Sequence, residues 1–204
     1  MTATWIRRDF AAIGVTQSPP GKHLDRLQQR YSGKVLLCID VSGSMYGNPL
    51  VQAVAGGRKL IDEAVAAGYE VGLVLWHHDV DAYVPLSPKP GAVERALAAA
   101  RSTGGNDITP TLRIGIRDLG GLTGDRVMAI FGDGDIGPVG KAKRAAKEAA
   151  DLGIRIIVRG LGDHAARQLQ QIATEHDEQV MVRSAADVSA GIASMAKQFG
   201  MRSR

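Results

Sequence analysis

Short apolar segments alternate with longer segments of helical periodicity along most of this 204-residue chain. The apolar segments are rich in Val, Ile and Leu, and the first of them, residues 35–40, is almost continuously apolar until its final aspartate. Such a strand is typical of the interior of a parallel sheet whose two faces are both covered. The alternation therefore predicts an α/β fold with helices on both faces of the sheet.

The spacing of the apolar segments predicts a six-stranded sheet with one antiparallel edge strand. Residues 70–76 and 80–84 are separated by only three residues, which indicates a hairpin. The other strands are predicted at residues 35–40, 126–131, 154–159 and 179–183. Because segments long enough for a helical crossover lie between them, these strands are expected to run parallel. The predicted architecture is therefore doubly wound and mostly parallel.

Helices are expected in the segments between the strands. They are predicted at residues 49–67, 92–100, 109–119, 141–152, 163–174 and 186–199. In the first of these, Pro49 fits the opening turn and Gly68 fits the end. The apolar positions of that helix predict a buried stripe formed by Val51, Val54, Leu60, Ile61 and Val65.

Composition divides the chain into one main domain and two short terminal segments. Residues 1–33 form an N-terminal extension, with a break at 16–21 and a polar segment at 23–29 that could form a short helix. Residues 34–200 hold the domain, and residues 201–204 are a basic tail. A hydrophobic content of 45% over this length is enough for one full core but leaves little room for two.

Charge and cysteine content argue against several classes of function. The formal net charge is +4, from 25 basic and 21 acidic residues, which is weak support for a nucleic-acid partner. No segment approaches the roughly 18 apolar residues of a membrane-spanning helix. The lone cysteine, Cys38, lies inside an apolar strand and is expected to be buried. A cytoplasmic location is the expectation that follows.

One carboxylate ends the first predicted strand, and two hydroxyls follow it within four residues. Asp40, Ser42 and Ser44 alternate in the sequence Asp-Val-Ser-Gly-Ser, and this glycine-containing loop can turn all three side chains toward one point. Ligands of open parallel sheets bind at the carboxyl ends of the strands. Oxygen donors with few carboxylates suit Mg²⁺ or Mn²⁺, with Ca²⁺ as a further candidate, better than Zn²⁺.

Two later loops can converge on the same edge of the sheet. Residues 104–109 read Gly-Gly-Asn-Asp-Ile-Thr, and residues 132–135 read Gly-Asp-Gly-Asp directly after a predicted strand. Their glycines permit close approach of the backbone. These loops add Asn106, Thr109 and Asp133 to the candidate metal ligands.

At these three loops the chain resembles the von Willebrand factor A family. The metal-ion-dependent adhesion site of that family uses an Asp-x-Ser-x-Ser loop, a later threonine and a later aspartate. The first loop matches in full, and Asp133 corresponds to the later aspartate, although Gly132 stands where the family usually has threonine. The resemblance spans about residues 34–199 and implies the Rossmann-like fold of the family.

The middle loop departs from the family pattern and leaves the third ligand open. It looks like the Gly-Gly-Thr-x-Ile segment of the family, with Asn106 in the place of the threonine. The amide oxygen of Asn106 can ligate a hard cation, and Thr109 or Asp107 can do so if the loop is rearranged.

The resemblance implies a protein that binds a partner and is not an enzyme. In the family, the domain supplies mostly neutral donors, and a carboxylate from the protein partner completes the coordination of the metal. A metal with few anionic ligands from the protein keeps more of its attraction for an incoming anionic oxygen. Intracellular members of the family commonly work beside ATPases, chaperone-like assemblies or signalling systems, so a partner of that kind is expected, with no membrane or nucleic acid involved.

Two other functions are compatible with parts of the pattern. Phosphatases of the haloacid dehalogenase type also carry an acid after the first strand and a later Gly-Asp-Gly segment that binds Mg²⁺. Their first motif has a second aspartate, the general acid, two residues on, whereas this chain has Ser42 there. A metal-free interaction scaffold is the second alternative, because Asn106 and Gly132 both depart from the family pattern.

Two further clusters have ordinary explanations. His77 and His78 are residue types found at zinc sites, but neighbours on a strand point to opposite faces, which argues against zinc. The helix at 141–152 carries Lys141, Lys143, Arg144 and Lys147. These cations could attract an acidic partner or form a solvated helical face.

Overall fold

The computed structural model describes residues 32–175 and 180–200, and a six-stranded sheet runs through them. The strands are β1 (Lys34–Asp40), β2 (Glu70–Trp76), β3 (Val80–Ser87), β4 (Arg126–Gly132), β5 (Arg155–Leu161) and β6 (Met181–Val182). Their order across the sheet is β3, β2, β1, β4, β5, β6. β2 and β3 pair antiparallel, and all the other neighbours are parallel. The predicted mixed sheet with one antiparallel edge strand is confirmed.

Helices cover both faces of this sheet, as predicted. Those of the described residues are α1 (Asn48–Ala66), α2 (Gly91–Ala98), α3 (Thr109–Leu119), α4 (Val139–Asp151), α5 (Gly162–Gln170) and α6 (Val188–Ser194). Hydrophobic side chains of α1, α2 and α6 form one core layer, and side chains of α3, α4 and α5 form another. Short 3-10 turns occupy Gly43–Met45, Ala185–Asp187 and Met195–Gln198.

β1 lies in the middle of the sheet, and all its residues are buried. Its side chains alternate between the two core layers: Ile39 faces the layer that contains α1, whereas Leu36 and Cys38 face the layer that contains α3. Cys38 is buried as predicted, and burial raises the pKa of its thiol above its usual range. Because β4 lies directly beside β1 and runs parallel to it, the carboxyl ends of these two strands meet at one edge.

The buried face of α1 differs from the predicted stripe. Val51 is 62% exposed and Val65 is 37% exposed, so the prediction is wrong for both valines. The buried residues of α1 are Ala53, Gly56, Gly57, Leu60, Ile61 and Ala64. At Gly56 a Cβ atom would lie only 2.8 Å from the backbone of α6. Close packing of these two helices therefore requires small residues on the inner face, and the two valines lie away from it.

The helix predicted at 163–174 ends four residues early, because Thr174 is bonded to β5. Its hydroxyl oxygen accepts the N–H of Ile156 at 2.8 Å. Its own N–H donates to the carbonyl of Ile156 at 3.1 Å. These bonds hold the chain beside the strand, where it cannot continue the helix.

The helix predicted at 186–199 is divided into a 3-10 turn, α6 and a second 3-10 turn. At the end of α6 the hydroxyl of Ser194 donates to the carbonyl of Gly191 at 2.6 Å. A serine that bonds back to the preceding turn competes with the regular helical pattern and favours a tighter turn.

Several predicted segments lie outside the described residues. They are the extension at 1–31 with its possible short helix, Gln179 of the last predicted strand, and the tail at 201–204. Within the described residues β6 contains only Met181–Val182, shorter than the strand predicted at 179–183. None of the helices in residues 32–175 and 180–200 combines the length and apolar character needed to cross a bilayer.

Candidate metal centre

The loops that follow β1 and β4 lie side by side at the carboxyl edge of the sheet. Asp40 is the last residue of β1, and Asp133 comes directly after the last residue of β4. Asp40 and Ser42 are buried, whereas Ser44, in the 3-10 turn, is exposed. The two halves of the predicted site are therefore adjacent, with one side open to solvent.

A continuous row of hydrogen bonds joins these two loops. The Oδ1 atom of Asp40 accepts the backbone N–H of Ser42 at 2.7 Å, which closes the turn after β1. The hydroxyls of Ser42 and Ser44 are 3.0 Å apart. The hydroxyl of Ser44 then donates to Oδ1 of Asp133 at 2.8 Å. Four residues that were predicted as ligands are thus in direct polar contact.

The middle loop brings Asn106 to the site. The side-chain amide nitrogen of Asn106 donates to Oδ2 of Asp40 at 3.5 Å. The hydroxyl of Thr109, at the start of α3, is buried and has no hydrogen-bond partner in the described part of the chain. Asp107 accepts the N–H of Thr109 at 2.8 Å, a local turn that leads into α3. Of the three candidates for the third ligand, Asn106 is the one that a hydrogen bond joins to the site.

Burial sets the electrostatics of the two carboxyl groups. Loss of solvent raises the pKa of Asp40 to about 7, against the opposing effect of hydrogen bonds from Ser42. Loss of solvent also raises the pKa of Asp133, and the hydrogen bond from Ser44 opposes this shift. Within residues 32–175 and 180–200, neither carboxylate has an ion pair with a lysine, arginine or histidine. Two partly or fully buried acids therefore lie together, and no basic side chain of the described residues compensates their charge.

This donor set fits a hard divalent cation. The side chains offer carboxylate, hydroxyl and amide oxygens, which are the ligands that Mg²⁺ and Mn²⁺ prefer. Metal–oxygen distances of about 2.1 Å in an octahedron place adjacent ligands about 3.0 Å apart. The separations of 3.0 Å between Ser42 Oγ and Ser44 Oγ and 2.8 Å between Ser44 Oγ and Asp133 Oδ1 are close to that value. The described residues contain no group of three or more His, Cys, Asp or Glu side chains that could hold a metal.

Gly132 is in close contact with Asp40 and with Trp76, the residue that pairs with Asp40 across β1 and β2. A Cβ atom at position 132 would lie 3.1 Å from Oδ2 of Asp40 and 3.2 Å from Cζ2 of Trp76. The indole of Trp76 is buried, and it occupies the space that a larger residue at position 132 would need. A residue larger than glycine at position 132 would therefore need Asp40 or Trp76 to shift.

The two histidines lie in the turn between β2 and β3, where they support the middle loop. Their ring centroids are only 4.4 Å apart, so the prediction that they point to opposite faces is wrong, because they are not in a strand. Nδ1 of His78 accepts the N–H of Gly105 at 3.3 Å, and the carbonyl of His77 accepts the N–H of Asp107 at 2.8 Å. The loop that carries Asn106 is therefore held from both sides of that residue.

Sequence reasoning considered these histidines only as zinc ligands and missed this role. The same loop is also bonded to the first loop, because the N–H of Gly43 donates to the carbonyl of Gly104 at 3.1 Å. Gly104 has a φ of +74°, and a Cβ atom there would lie 2.7 Å from Nδ1 of His78. The sequence offers one signal for this role: the pair Gly104-Gly105 and the pair His77-His78 both lie in loops at the same edge of the predicted sheet.

The cations on α4 start close to the loop that contains Asp133. Lys141, Lys143 and Arg144 are exposed, and no ion pair joins them to other described residues. Further along the helix, Lys147 pairs with Asp151 at 2.7 Å. The first turns of α4 thus carry positive charge that no described residue pairs with, whereas Lys147 near its end is paired.

One family model matches the part of the chain that carries the three loops of the candidate site. Residues 35–135 match the model of the von Willebrand factor type A domain. That segment includes every residue of the candidate site. No curated protein matches the sequence significantly.

Several solved structures share the fold at low sequence identity. A von Willebrand factor type A protein from Catenulispora acidiphila is 18% identical, with a TM-score of 0.69 over 82% of this chain and 42% of its own. The vWF domain of the type V pili tip protein Mfa5 from Porphyromonas gingivalis is 14% identical, with a TM-score of 0.69 over 86% of this chain and 98% of its own. The conserved hypothetical protein BatB from Bacteroides thetaiotaomicron is 22% identical, with a TM-score of 0.63 over 81% of this chain and 99% of its own. The match therefore spans less than half of the Catenulispora protein.

Proposed function

We propose that this chain contains a von Willebrand factor type A domain and binds a protein partner through a divalent cation. The family match over residues 35–135 and the shared fold support the first part of this proposal. The cation is Mg²⁺ or Mn²⁺, held by Asp40, Ser42, Ser44 and Asp133. An acidic side chain of the partner completes its coordination.

One observation carries this proposal: oxygen donors from two separate loops form a row with spacings near 3 Å. The row joins the buried carboxylate of Asp40 to the partly buried carboxylate of Asp133, and no Lys, Arg or His of the described residues pairs with either of them. A divalent cation supplies the missing positive charge and stabilises the ionised form of both acids. The exposed hydroxyl of Ser44 leaves the site open to an incoming ligand.

Asn106 has a supporting role in this arrangement. Its amide nitrogen donates to the carboxylate of Asp40 and so orients that ligand. A half-turn of the amide group would present its oxygen to the cation instead, in the place of the family threonine. The domain contributes two carboxylates at most, so the bound cation keeps a positive charge that attracts an anionic partner.

The proposal is tested by following thermal stability during titration with Mg²⁺ and Mn²⁺. A metal at about a hundredfold its Kd should stabilise the fold by about 2.7 kcal/mol. The double variant Ser42→Ala with Ser44→Ala should abolish this gain. Asp135→Asn is the matched control, because Asp135 lies in the loop of Asp133 but is exposed, and its one hydrogen bond with the described residues is with the N–H of Gly137. A wild-type chain that gains no stability at millimolar metal would favour a metal-free interaction scaffold.

The phosphatase alternative is not favoured. Ser42 stands two residues after Asp40, where the phosphatases carry a general acid, and its hydroxyl is already in contact with Ser44. A serine cannot replace a carboxylic acid as proton donor to a leaving group without a large loss of rate. Metal-dependent turnover of a generic phosphate ester that disappears in Asp40→Asn would overturn the proposal of a binding protein.

A further inference from the structure

An apolar groove opens beside the candidate metal centre, between the start of α1 and the segment after α2. Its volume is about 590 Å³, and it is lined by Tyr46, Leu50, Val51, Val54, Ala98 and Arg101. Both walls are continuous with the loops of the metal centre. Tyr46 comes two residues after Ser44, and the other wall leads to Thr103, whose N–H donates to the carbonyl of Val41 at 2.7 Å. The groove and the metal centre therefore share one surface.

Large hydrophobic side chains are exposed in this groove. Tyr46 is 82% exposed and Val51 is 62% exposed, the two highest values among the large hydrophobic residues of the described chain. Val51 belongs to the stripe that the apolar pattern predicts to be buried. Exposed apolar residues that adjoin one another beside a polar site are typical of surfaces that another protein covers.

The positive charge around the groove indicates which kind of molecule would bind there. Arg101 lies on the rim of the groove and is exposed, and it has no hydrogen bond or ion pair with the rest of residues 32–175 and 180–200. The proposed cation adds positive charge at the other end of the same surface. An occupant with both carboxylates and apolar side chains would therefore match the groove in charge and in polarity.

We propose that this groove binds a segment of a partner protein in which acidic residues alternate with aromatic or aliphatic ones. One acid ligates the cation, the apolar side chains pack against Tyr46 and Val51, and a second acid pairs with Arg101. This inference rests on the proposed function, because it extends the partner's contact beyond the metal.

The probe is a library of random short peptides displayed on phage and selected on the full chain with Mg²⁺ present. Acidic and apolar residues should be enriched together. A selected peptide should bind Tyr46→Ser and Arg101→Ala at least about tenfold more weakly than wild type. Val65→Ser is the matched control. Val65 is a partly exposed valine of α1, the helix that contains Val51, but it lies outside the groove. Selection of peptides without acidic residues, or equal binding to Tyr46→Ser, would overturn the inference.

Repeating the measurement with chelator and with Ser44→Ala separates this inference from the proposed function. If peptide binding survives chelation but is lost in Tyr46→Ser, the contacts with the groove stand, whereas the acid–cation contact and the proposed function fail. If chelation abolishes binding and Tyr46→Ser has no effect, the metal proposal stands and the groove proposal fails.

Two other occupants would also overturn the inference. A dimer of the wild-type chain that Tyr46→Ser dissociates, seen by sedimentation, would assign the groove to a second copy. Nuclear Overhauser contacts between the methyls of Val51 and residues 1–31 would assign it to the N-terminal segment of the chain itself. A monomer without such contacts is the expected result.

Discussion

Nδ1 of His78 accepts the backbone N–H of Gly105 at 3.3 Å and so holds the residue that precedes Asn106. His78 itself is exposed and lies outside the hydrophobic core. The bond thus fixes the position of a loop at the candidate metal centre without contributing to the packing of the fold.

His78→Ala should therefore weaken metal binding with little loss of stability. Removal of a residue that orients ligands typically lowers metal affinity by about tenfold or more. Isothermal titration calorimetry with Mn²⁺ measures the affinity, and thermal unfolding of the metal-free chain measures stability. His164→Ala, on the exposed surface of α5, should change neither quantity. An unchanged Mn²⁺ affinity in His78→Ala would show that the histidine does not support the site.

Metal binding should become stronger as the pH rises toward 7. The pKa of Asp40 is raised to about 7 by burial, so below that pH a cation must displace a proton from the carboxyl group. Affinity for Mn²⁺ should rise by up to about tenfold per pH unit below pH 7 and level off above it. Calorimetry in buffers of different ionisation enthalpy should detect the released proton. A Kd that does not change with pH would contradict this linkage.

The raised pKa of Asp40 also predicts how the stability of the metal-free chain depends on pH. An acid whose folded-state pKa exceeds its unfolded value of about 3.9 binds protons more tightly when folded. Its contribution to stability is therefore lost as pH rises from about 4 to about 7. Thermal unfolding in chelator should show this loss, and Asp40→Asn should reduce it to the part that the raised pKa of Asp133 contributes.

Gly132→Ala should destabilise the fold by about 1–3 kcal/mol, because the new Cβ would meet Asp40 and Trp76. Trp76→Phe removes the Cζ2 atom that lies 3.2 Å from the Cβ position. The double variant should therefore be less destabilised than the sum of the two single variants, by about 0.5 kcal/mol or more. Urea unfolding measures all three. If the free-energy changes of the two single variants are strictly additive, the side chain of Trp76 is not what excludes a larger residue at position 132.

Asp125→Asn should lower stability at neutral pH by roughly 1.5–3 kcal/mol. Asp125 accepts bonds from Arg155 at 2.8 and 3.0 Å, from the hydroxyl of Tyr69 at 2.5 Å and from the N–H of Gly200 at 2.9 Å. These bonds, opposed by burial, lower the pKa of Asp125. The stabilisation is thus complete above the unfolded pKa of about 3.9 and is lost as pH falls through the lower folded value.

Acid unfolding followed by circular dichroism tests this prediction. The difference between wild type and Asp125→Asn should shrink as the pH falls below about 4. Asp151→Asn is the control, because the pair of Asp151 with Lys147 is largely exposed and should contribute little. A difference that is constant from neutral to acid pH would show that the charge of Asp125 is not involved.

Most of the fold follows from patterns that are local in the sequence. Near-continuous apolar strands with helical crossovers define a covered parallel sheet, and the three-residue gap before residue 80 defines the hairpin at its edge. The role of the Asp-Val-Ser-Gly-Ser segment at the end of β1 can also be predicted from the sequence, because the strand end and its loop lie within a few residues of each other.

Tertiary structure decides the features that depend on distant segments. Asn106 rather than Thr109 contacts Asp40 because His77, His78 and Gly43 hold the middle loop, and these residues are far from it in sequence. The exposure of Val51 likewise depends on how closely α1 packs against α6. Helical periodicity identifies the apolar residues of α1, but only the position of the neighbouring helix determines which of them are covered.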